Sequence, residues 1–402
     1  MPKLVQINVS LNWGSTGKIA EGIADSAHSC GWECYTVHGQ RYKSQSKYPS
    51  IQLSNRFTEI LHYLESTLFD RQGLGSRLDT VRLIRKLKII NPDIIHLHVI
   101  HGSYLNYKLL FKYIKSEHIP IVWTFHDCWA FTGHCVYFDR IHCEKWKSHC
   151  CHCPQRNDYP KALCDNSSYN YQLKKALFNS GINMTIVPVS RWLCKLVDDS
   201  FLKNYPKRVI HNGIDLKRYT YSGSNVREKY SIRDKHVVLG VANGFGSRKG
   251  LNDFISLSHL LPNDFQIVMV GVGNNEVSKI PSNIIAIGRT DNQQELVDLY
   301  SVADVFINPT YEDNFPTTNI ESLACGTPVI TYNTGGSPES IDESTGLVVP
   351  QGDVKSLLDS VLEIVKKGKS KYSTRCRERA INLFNQEKQF MEYVELYNRI
   401  ID

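Results

Sequence analysis

Leu4-Val5-Gln6-Ile7-Asn8-Val9 is an apolar run that leads into the loop Leu11-Asn12-Trp13-Gly14-Ser15-Thr16-Gly17. Beyond it, Ile19, Ala20, Ile23, Ala24 and Ala27 recur at helical spacing. A buried strand, a glycine loop and a one-faced helix in that order read as half of a βαβ unit. The cycle repeats along the chain. Cys34–Val37, Pro92–His98 and Pro120–Phe125 are further short apolar strands, with Met184–Val189 and Lys207–Ile210 after them. A second series starts at Val237–Val241 and continues through Gln266–Val270, Ile284–Ile287, Val305–Ile307, Pro328–Thr331 and Leu347–Val349. Apolar strands alternating with helices predict an α/β chain whose parallel sheets are covered on both faces.

The 402 residues exceed one ordinary core and suit two domains. The expected boundaries are 1–206 and 207–384, with the linker near Tyr205-Pro206 or within His211–Asp215. The closing helix, 385–402, is expected to pack back near the first domain. It carries Phe390, Tyr393, Val394 and Tyr397 as an apolar stripe. Residues 43–75 are polar and irregular and give no clear element.

The net charge of +7 is uneven. Residues 1–206 hold 25 Lys/Arg against 16 Asp/Glu, or +9, leaving −2 for the remainder. A basic half attracts phosphates, anionic headgroups or nucleic acid, or is simply a solvated surface. Val81–Ile90 reads as a basic amphipathic helix that either lies on an anionic membrane or covers the first sheet. No apolar run is long enough to span a bilayer and no secretory signal is visible, so the expected place is the cytoplasm, with peripheral contact to the inner membrane face.

Ligands of open α/β sheets sit at the carboxyl ends of the strands, where loops meet helix starts. Four such loops stand out. Gly14–Gly17 lets a ligand approach backbone N–H groups, but it lacks the spacing and the Ser/Thr of a nucleotide-hydrolase phosphate loop. His126 ends the Pro120–Phe125 strand, placed to donate to a sugar hydroxyl or to share charge with a phosphate. Asn243 to Gly250 is glycine-rich and carries the adjacent cations Arg248 and Lys249, suited to a diphosphate leaving group. In the fourth loop, Asp313 and Glu321 bracket a helix start, with Asn314, Phe315, Thr317 and Thr318 between them.

That fourth stretch, Tyr311 to Ile330, resembles the donor site of glycosyltransferase family four. His211-Asn212-Gly213-Ile214-Asp215, Arg248-Lys249-Gly250, Val268–Gly271, Gly335-Gly336-Ser337-Pro338-Glu339 and Gly346–Pro350 carry the same resemblance. It extends along nearly the whole chain and is weakest from 43 to 80. With His96-Leu97-His98 and His126-Asp127-Cys128-Trp129, the N-terminal half is similar to the polysaccharide-assembly members of colanic-acid type. The resemblance implies a GT-B fold, two facing Rossmann-like doubly wound domains with the active site in the cleft between them. The first domain would bind the acceptor and the second the nucleotide sugar.

It further implies a retaining transfer from a UDP- or GDP-sugar to a glycan or lipid-linked oligosaccharide acceptor, in exopolysaccharide, capsule or O-antigen synthesis. By that resemblance Glu321 holds the ribose, Asp313 contacts the donor sugar and Lys249 binds the diphosphate. His126 sits beside the transferred sugar, and Gly14 to Gly17 close over phosphates or acceptor. Two positions depart from the pattern. Asp313 replaces the usual glutamate, with Glu312 as a neighbouring alternative, and Asn243 stands where many members have arginine. No Asp-x-Asp motif marks a strand end, so no cofactor or divalent ion is expected in the chemistry.

Six of the twelve cysteines fall between 128 and 153. Cys135, Cys143, Cys150 and Cys153 include a Cys-x2-Cys pair, which leaves open a structural zinc or iron–sulfur site or a metal-free thiol cluster, the latter slightly favoured. Rival functions are a nicotinamide dehydrogenase built on Gly271-Val272-Gly273, a nucleotide-sugar epimerase and a nucleic-acid-binding module. The dehydrogenase fingerprint lacks its third glycine, at Glu276. The epimerase lacks assignable acidic catalytic residues, and no basic stripe interleaved with aromatics supports nucleic acid.

Overall fold

The computed structural model describes residues 1–223, 226–232 and 234–402. The strands are β1 (Lys3–Ile7), β2 (Ser10–Leu11), β3 (Glu33–His38), β4 (Tyr42–Lys43), β5 (Ser50–Gln52), β6 (Ile94–Leu97), β7 (Ile121–Phe125), β8 (Met184–Pro188), β9 (His236–Val241), β10 (Phe265–Val270), β11 (Ile284–Ile287), β12 (Val305–Asn308), β13 (Val329–Tyr332) and β14 (Gly346–Val349). Helices α1 (Gly14–Ser29), α2 (Arg56–Phe69), α3 (Arg77–Ile90), α4 (Tyr107–Ser116), α5 (Ser167–Phe178) and α6 (Arg191–Asp199) belong to the first half. The second half holds α7 (Val226–Lys229), α8 (Leu251–Leu260), α9 (Asn274–Val277), α10 (Gln293–Val302), α11 (Thr317–Ala324), α12 (Val354–Lys367), α13 (Ser370–Leu383) and α14 (Gln386–Ile401).

The chain divides into two compact units: Met1–His211 with Glu387–Asp402, and Asn212–Gln386. Each contains a six-stranded parallel sheet, in the orders β5-β3-β1-β6-β7-β8 and β11-β10-β9-β12-β13-β14. Both are doubly wound. Strand order reverses between β1 and β6 in the first unit and between β9 and β12 in the second.

In the first unit, α1 and α14 cover one sheet face. Ile19, Ile23, Ala24 and Ala27 meet Phe390, Tyr393, Val394 and Tyr397 over Leu4, Ile94, Val122 and Val187. The apolar stripe of α14 is therefore a core surface.

Two stretches differ from the sequence reading. Lys207–Ile210 is not a strand: it makes one bridge, Lys207 to Ile186, and follows the β8 edge through Arg208 N–H to Ile186 O (3.1 Å) and Ile210 N–H to Pro188 O (3.2 Å). Residues 43–75, left without assignment, hold β5 and α2. The helical spacing of Phe57, Ile60, Leu61, Leu64 and Leu68 marks α2 in the sequence, but that face is exposed and the buried positions are the polar Glu59, His62 and Ser66. Asn55 starts this helix with a reciprocal capping box to Thr58.

Candidate donor site and histidine relay

The second unit places its chemistry at the β9/β12 reversal, where an open sheet leaves a crevice beyond its strand ends. β9 runs through the exposed Asn243 and the glycine loop into a single 3-10 turn, Ser247–Lys249, before α8. β12 runs through Pro309–Pro316 into α11. The two loops meet: Lys249 Nζ donates to Asp313 Oδ2 at 2.5 Å, and Arg248 Nη1 donates to the Glu312 carbonyl at 3.2 Å. Tyr311 N–H donates back to Arg248 O at 2.9 Å. Both cations are thereby fixed beside the start of α11.

That helix start has no side-chain cap, because Pro316 occupies the N-cap position. Thr317 and Thr318 follow as its first two residues, and their N–H groups have no intrahelical acceptor. An uncapped α-helix start beside two cations is suited to a phosphate. Asn314 and Phe315 are buried, and Asn212 Nδ2 holds the Phe315 carbonyl at 3.2 Å. Glu321, one turn into α11, accepts from the buried Tyr300 hydroxyl at 2.9 Å. Glu312 is buried at 4% exposure, whereas Asp313 reaches Lys249. Of the two neighbouring carboxylates, Asp313 is the one presented. Gly335 seals the loop: at φ +54° it brings its backbone so near that a Cβ would lie 1.8 Å from Asp313 O.

The first unit gathers a second group of side chains at its own reversal. Gly14 opens α1 at φ +65°, and Trp13 before it gives no side-chain cap. Gly17 packs so tightly that a Cβ would meet Ser10 Oγ at 2.8 Å. His126 follows β7 and pairs with His98, which follows β6, at 3.2 Å between Nε2 and Nδ1.

The proton positions follow from Gln6. Its amide NH₂ donates to Ala20 O at 2.7 Å, so its carbonyl accepts from His98 Nε2–H at 2.9 Å. His98 Nδ1 then accepts from His126 Nε2–H, and Nδ1 is the acceptor nitrogen of the His126 ring. Burial lowers the His126 pKa to about 4 and holds His96 and His98 well below the ordinary imidazole range. The sequence reading expects His126 to donate to a sugar hydroxyl or to share charge with a phosphate; in the structure its Nε2 is paired with His98 Nδ1.

Gln6, His98, His101, Asp127 and Tyr300, which hold these side chains, were not among the site residues expected from the sequence. His101 Nε2 pairs with Asp127 Oδ2 at 2.7 Å, and this contact holds the Asp127 carboxyl below its usual range against the opposing effect of burial. The legible signal was period-two spacing: His96 and His98 share a β-strand face, and β6 pairs in register with β1 at Gln6.

The clustered cysteines converge. Cys135, Cys143, Cys150, Cys151 and Cys153 line one small cavity with His134, and all cysteines are free thiols. Among the described residues, no group of three or more His, Cys, Asp or Glu side chains is arranged to hold a metal ion. Local partners account for three of these thiols. Cys150 Sγ accepts from Gly133 N–H at 3.3 Å, and Cys135 hydrogen-bonds to Cys153.

Comparison with known proteins agrees with this architecture. The model of Glycosyltransferase Family 4 matches residues 55–218, and that of Glycosyl transferases group 1 matches residues 224–383. The chain therefore carries both glycosyltransferase domains, one after the other. Over its full length this glycosyltransferase is 25% identical to a colanic acid biosynthesis glycosyl transferase, WcaC, of Escherichia coli K12, covering 99% of this chain and 100% of that one. Its fold is similar to a sucrose-phosphate synthase of Thermosynechococcus elongatus (TM-score 0.72, 18% identity, 100% and 99% of the two chains). It is also similar to Anabaena HepE in complex with UDP-glucose (TM-score 0.70, 14% identity, 99% of each chain). The two six-stranded parallel-sheet units are those of the GT-B glycosyltransferases.

Proposed function

We propose that the enzyme moves a sugar from a UDP- or GDP-sugar to a lipid-linked glycan acceptor, with retention of anomeric configuration, in the assembly of a cell-surface polysaccharide. The observation that carries this reading is the Lys249–Asp313 pair beside the uncapped α11 start. It combines positive charge for a leaving diphosphate with a carboxylate for sugar hydroxyls. Glu321, oriented by Tyr300, takes the ribose hydroxyls. Backbone groups from Asn314 to Thr318 line the diphosphate, with Arg248 adding charge through its guanidinium.

Retention follows if the acceptor hydroxyl attacks the face that the diphosphate leaves, with a diphosphate oxygen taking the proton. His126, neutral and accepting through Nδ1, would then receive a hydrogen bond from a sugar hydroxyl. Its part is positioning rather than charge. Charge stabilisation of the leaving group by fixed cations and helix dipoles is commonly the largest catalytic contribution of such a site. Similarity to WcaC supports a polysaccharide product, and the UDP-glucose complex of HepE supports a nucleotide-sugar donor. The basic first half supports work at the inner membrane face.

Calorimetry with UDP and GDP, followed by incubation with a panel of nucleotide sugars, tests the reading. Binding of one nucleoside diphosphate and slow hydrolysis of one matching donor are expected. Binding of neither nucleotide overturns it.

A further inference from the structure

α2 is built inside out. Its buried residues are Glu59, His62 and Ser66, each anchored or enclosed by the first unit. Glu59 accepts from Ser54 Oγ at 2.6 Å, and His62 bridges Ser76 Oγ (2.9 Å) and Gly75 N–H (3.1 Å). The opposite face carries Phe57, Ile60, Leu61, Leu64 and Leu68, with Phe69 at the helix end, each at least 40% exposed. A surface helix of a soluble domain has the reverse arrangement. Leu163, 58% exposed, extends the patch, since its N–H donates to Thr67 O at 2.7 Å. Contiguous apolar patches of this kind mark a docking surface.

Charge names the occupant. From Arg56 to Ile90 the exposed charged residues are all basic: Arg56, Arg77, Arg82, Arg85, Lys86 and Lys88. Glu59, Asp70 and Asp79 are buried, and the half-buried Glu65 is paired with Arg71 at 3.1 Å. A second copy meeting this face symmetrically would set arginine against arginine. An anionic bilayer satisfies both halves of the surface: acyl chains take the apolar face, and headgroups take the basic rim. The polar edge of α2 also lines a cavity of about 320 Å³ with Glu59, Tyr63 and Ser66, opposite His101 and Tyr159.

We infer that α2 is an interfacial helix that inserts its Phe57–Phe69 face into the anionic leaflet, and so holds the cavity beside it at headgroup level for a lipid-linked acceptor. The inference rests on the proposed lipid-linked acceptor and assigns the membrane contact to α2, with α3 supplying basic rim.

Flotation of the full chain with phosphatidylcholine vesicles, and with vesicles containing about a third phosphatidylglycerol, tests it. The protein should float with the anionic vesicles and weakly with the neutral ones. The double substitution Leu61→Glu and Leu64→Glu, at exposed positions, should lower partition by at least about tenfold. Arg85→Glu with Lys86→Glu should remove the preference for anionic lipid. UDP and GDP binding should be unchanged in both variants, which separates failure of docking from failure of the donor-site reading. Absence of flotation, wild-type partition by the Leu61/Leu64 variant, or a dimer that this variant dissolves would each overturn the inference.

Discussion

Lys249 Nζ lies 2.5 Å from Asp313 Oδ2 and so joins two loops 64 residues apart in the chain. Both side chains are about four-fifths buried, at 19% and 18% exposure. The pair holds the lysine against the start of α11, where its charge is available to a diphosphate. Lys249→Ala should therefore lower turnover by about 10²–10³-fold, the usual effect of removing one donor to developing charge. Steady-state transfer or donor-hydrolysis rates measure this, with thermal melting as the folding control. A rate near that of the unmodified enzyme removes Lys249 from the role.

Tyr300 offers a narrower probe of Glu321. Its hydroxyl is buried in α10 and donates to the carboxylate at 2.9 Å. A hydrogen bond to a charged group contributes about 1.5–3 kcal/mol. Tyr300→Phe is expected to weaken UDP or GDP binding by roughly tenfold or more, read by titration calorimetry. Unaltered affinity would mean that Glu321 does not hold the nucleotide.

Gly335→Ala should disable the site from outside it. A Cβ there meets Asp313 O at 1.8 Å, and the φ of +54° is strained for alanine. Both effects push the 313 loop away from Lys249. Lower melting temperature and lost turnover are expected together. Gly246→Ala, with open space around its Cβ, should melt near the unmodified protein. Equal stability of the two variants would contradict the packing argument.

The buried histidines set a pH response. His126 and His62 are each lowered from 6.5 to about 4, and His96 and His98 are lowered as well. Between pH 6.5 and about 4 the unfolded chain takes up protons that the folded chain refuses. Stability therefore rises with pH across this window and falls on acidification. Melting temperature should drop as the pH is taken from 7 to 5, and less steeply in His126→Asn. Identical slopes for the two proteins would show that His126 carries no such linkage.

Metal removal should leave the reaction intact. In the proposed chemistry, Lys249, Arg248 and the α11 N-terminus stabilise the leaving diphosphate without a divalent ion. Turnover after exhaustive EDTA treatment is expected to match that of the untreated enzyme. Loss of activity that Mg²⁺ or Mn²⁺ restores would contradict this account.

The order of strands and helices was legible in the sequence because each element is short, local and strongly patterned. Gly240 to Gly250 and Asp313 to Ile330 announced themselves the same way, as strand–loop–helix junctions with unusual residues. α2 is legible as a helix from the spacing of Phe57, Ile60, Leu61, Leu64 and Leu68, but the face it buries is not, since the polar Glu59, His62 and Ser66 lie inside. Nor was the state of His126, since a residue 120 positions earlier, Gln6, fixes its tautomer through His98.

The sequence alone determined an α/β chain of two parallel-sheet units and the loops that carry charge, because backbone periodicity and turn chemistry act over a few residues. Tertiary structure alone decided that Asp313 rather than Glu312 meets Lys249, that Cys135, Cys150 and Cys153 gather around one cavity, and that α2 shows its apolar face outward. These depend on which distant groups are brought within a few ångströms, and no local pattern encodes that.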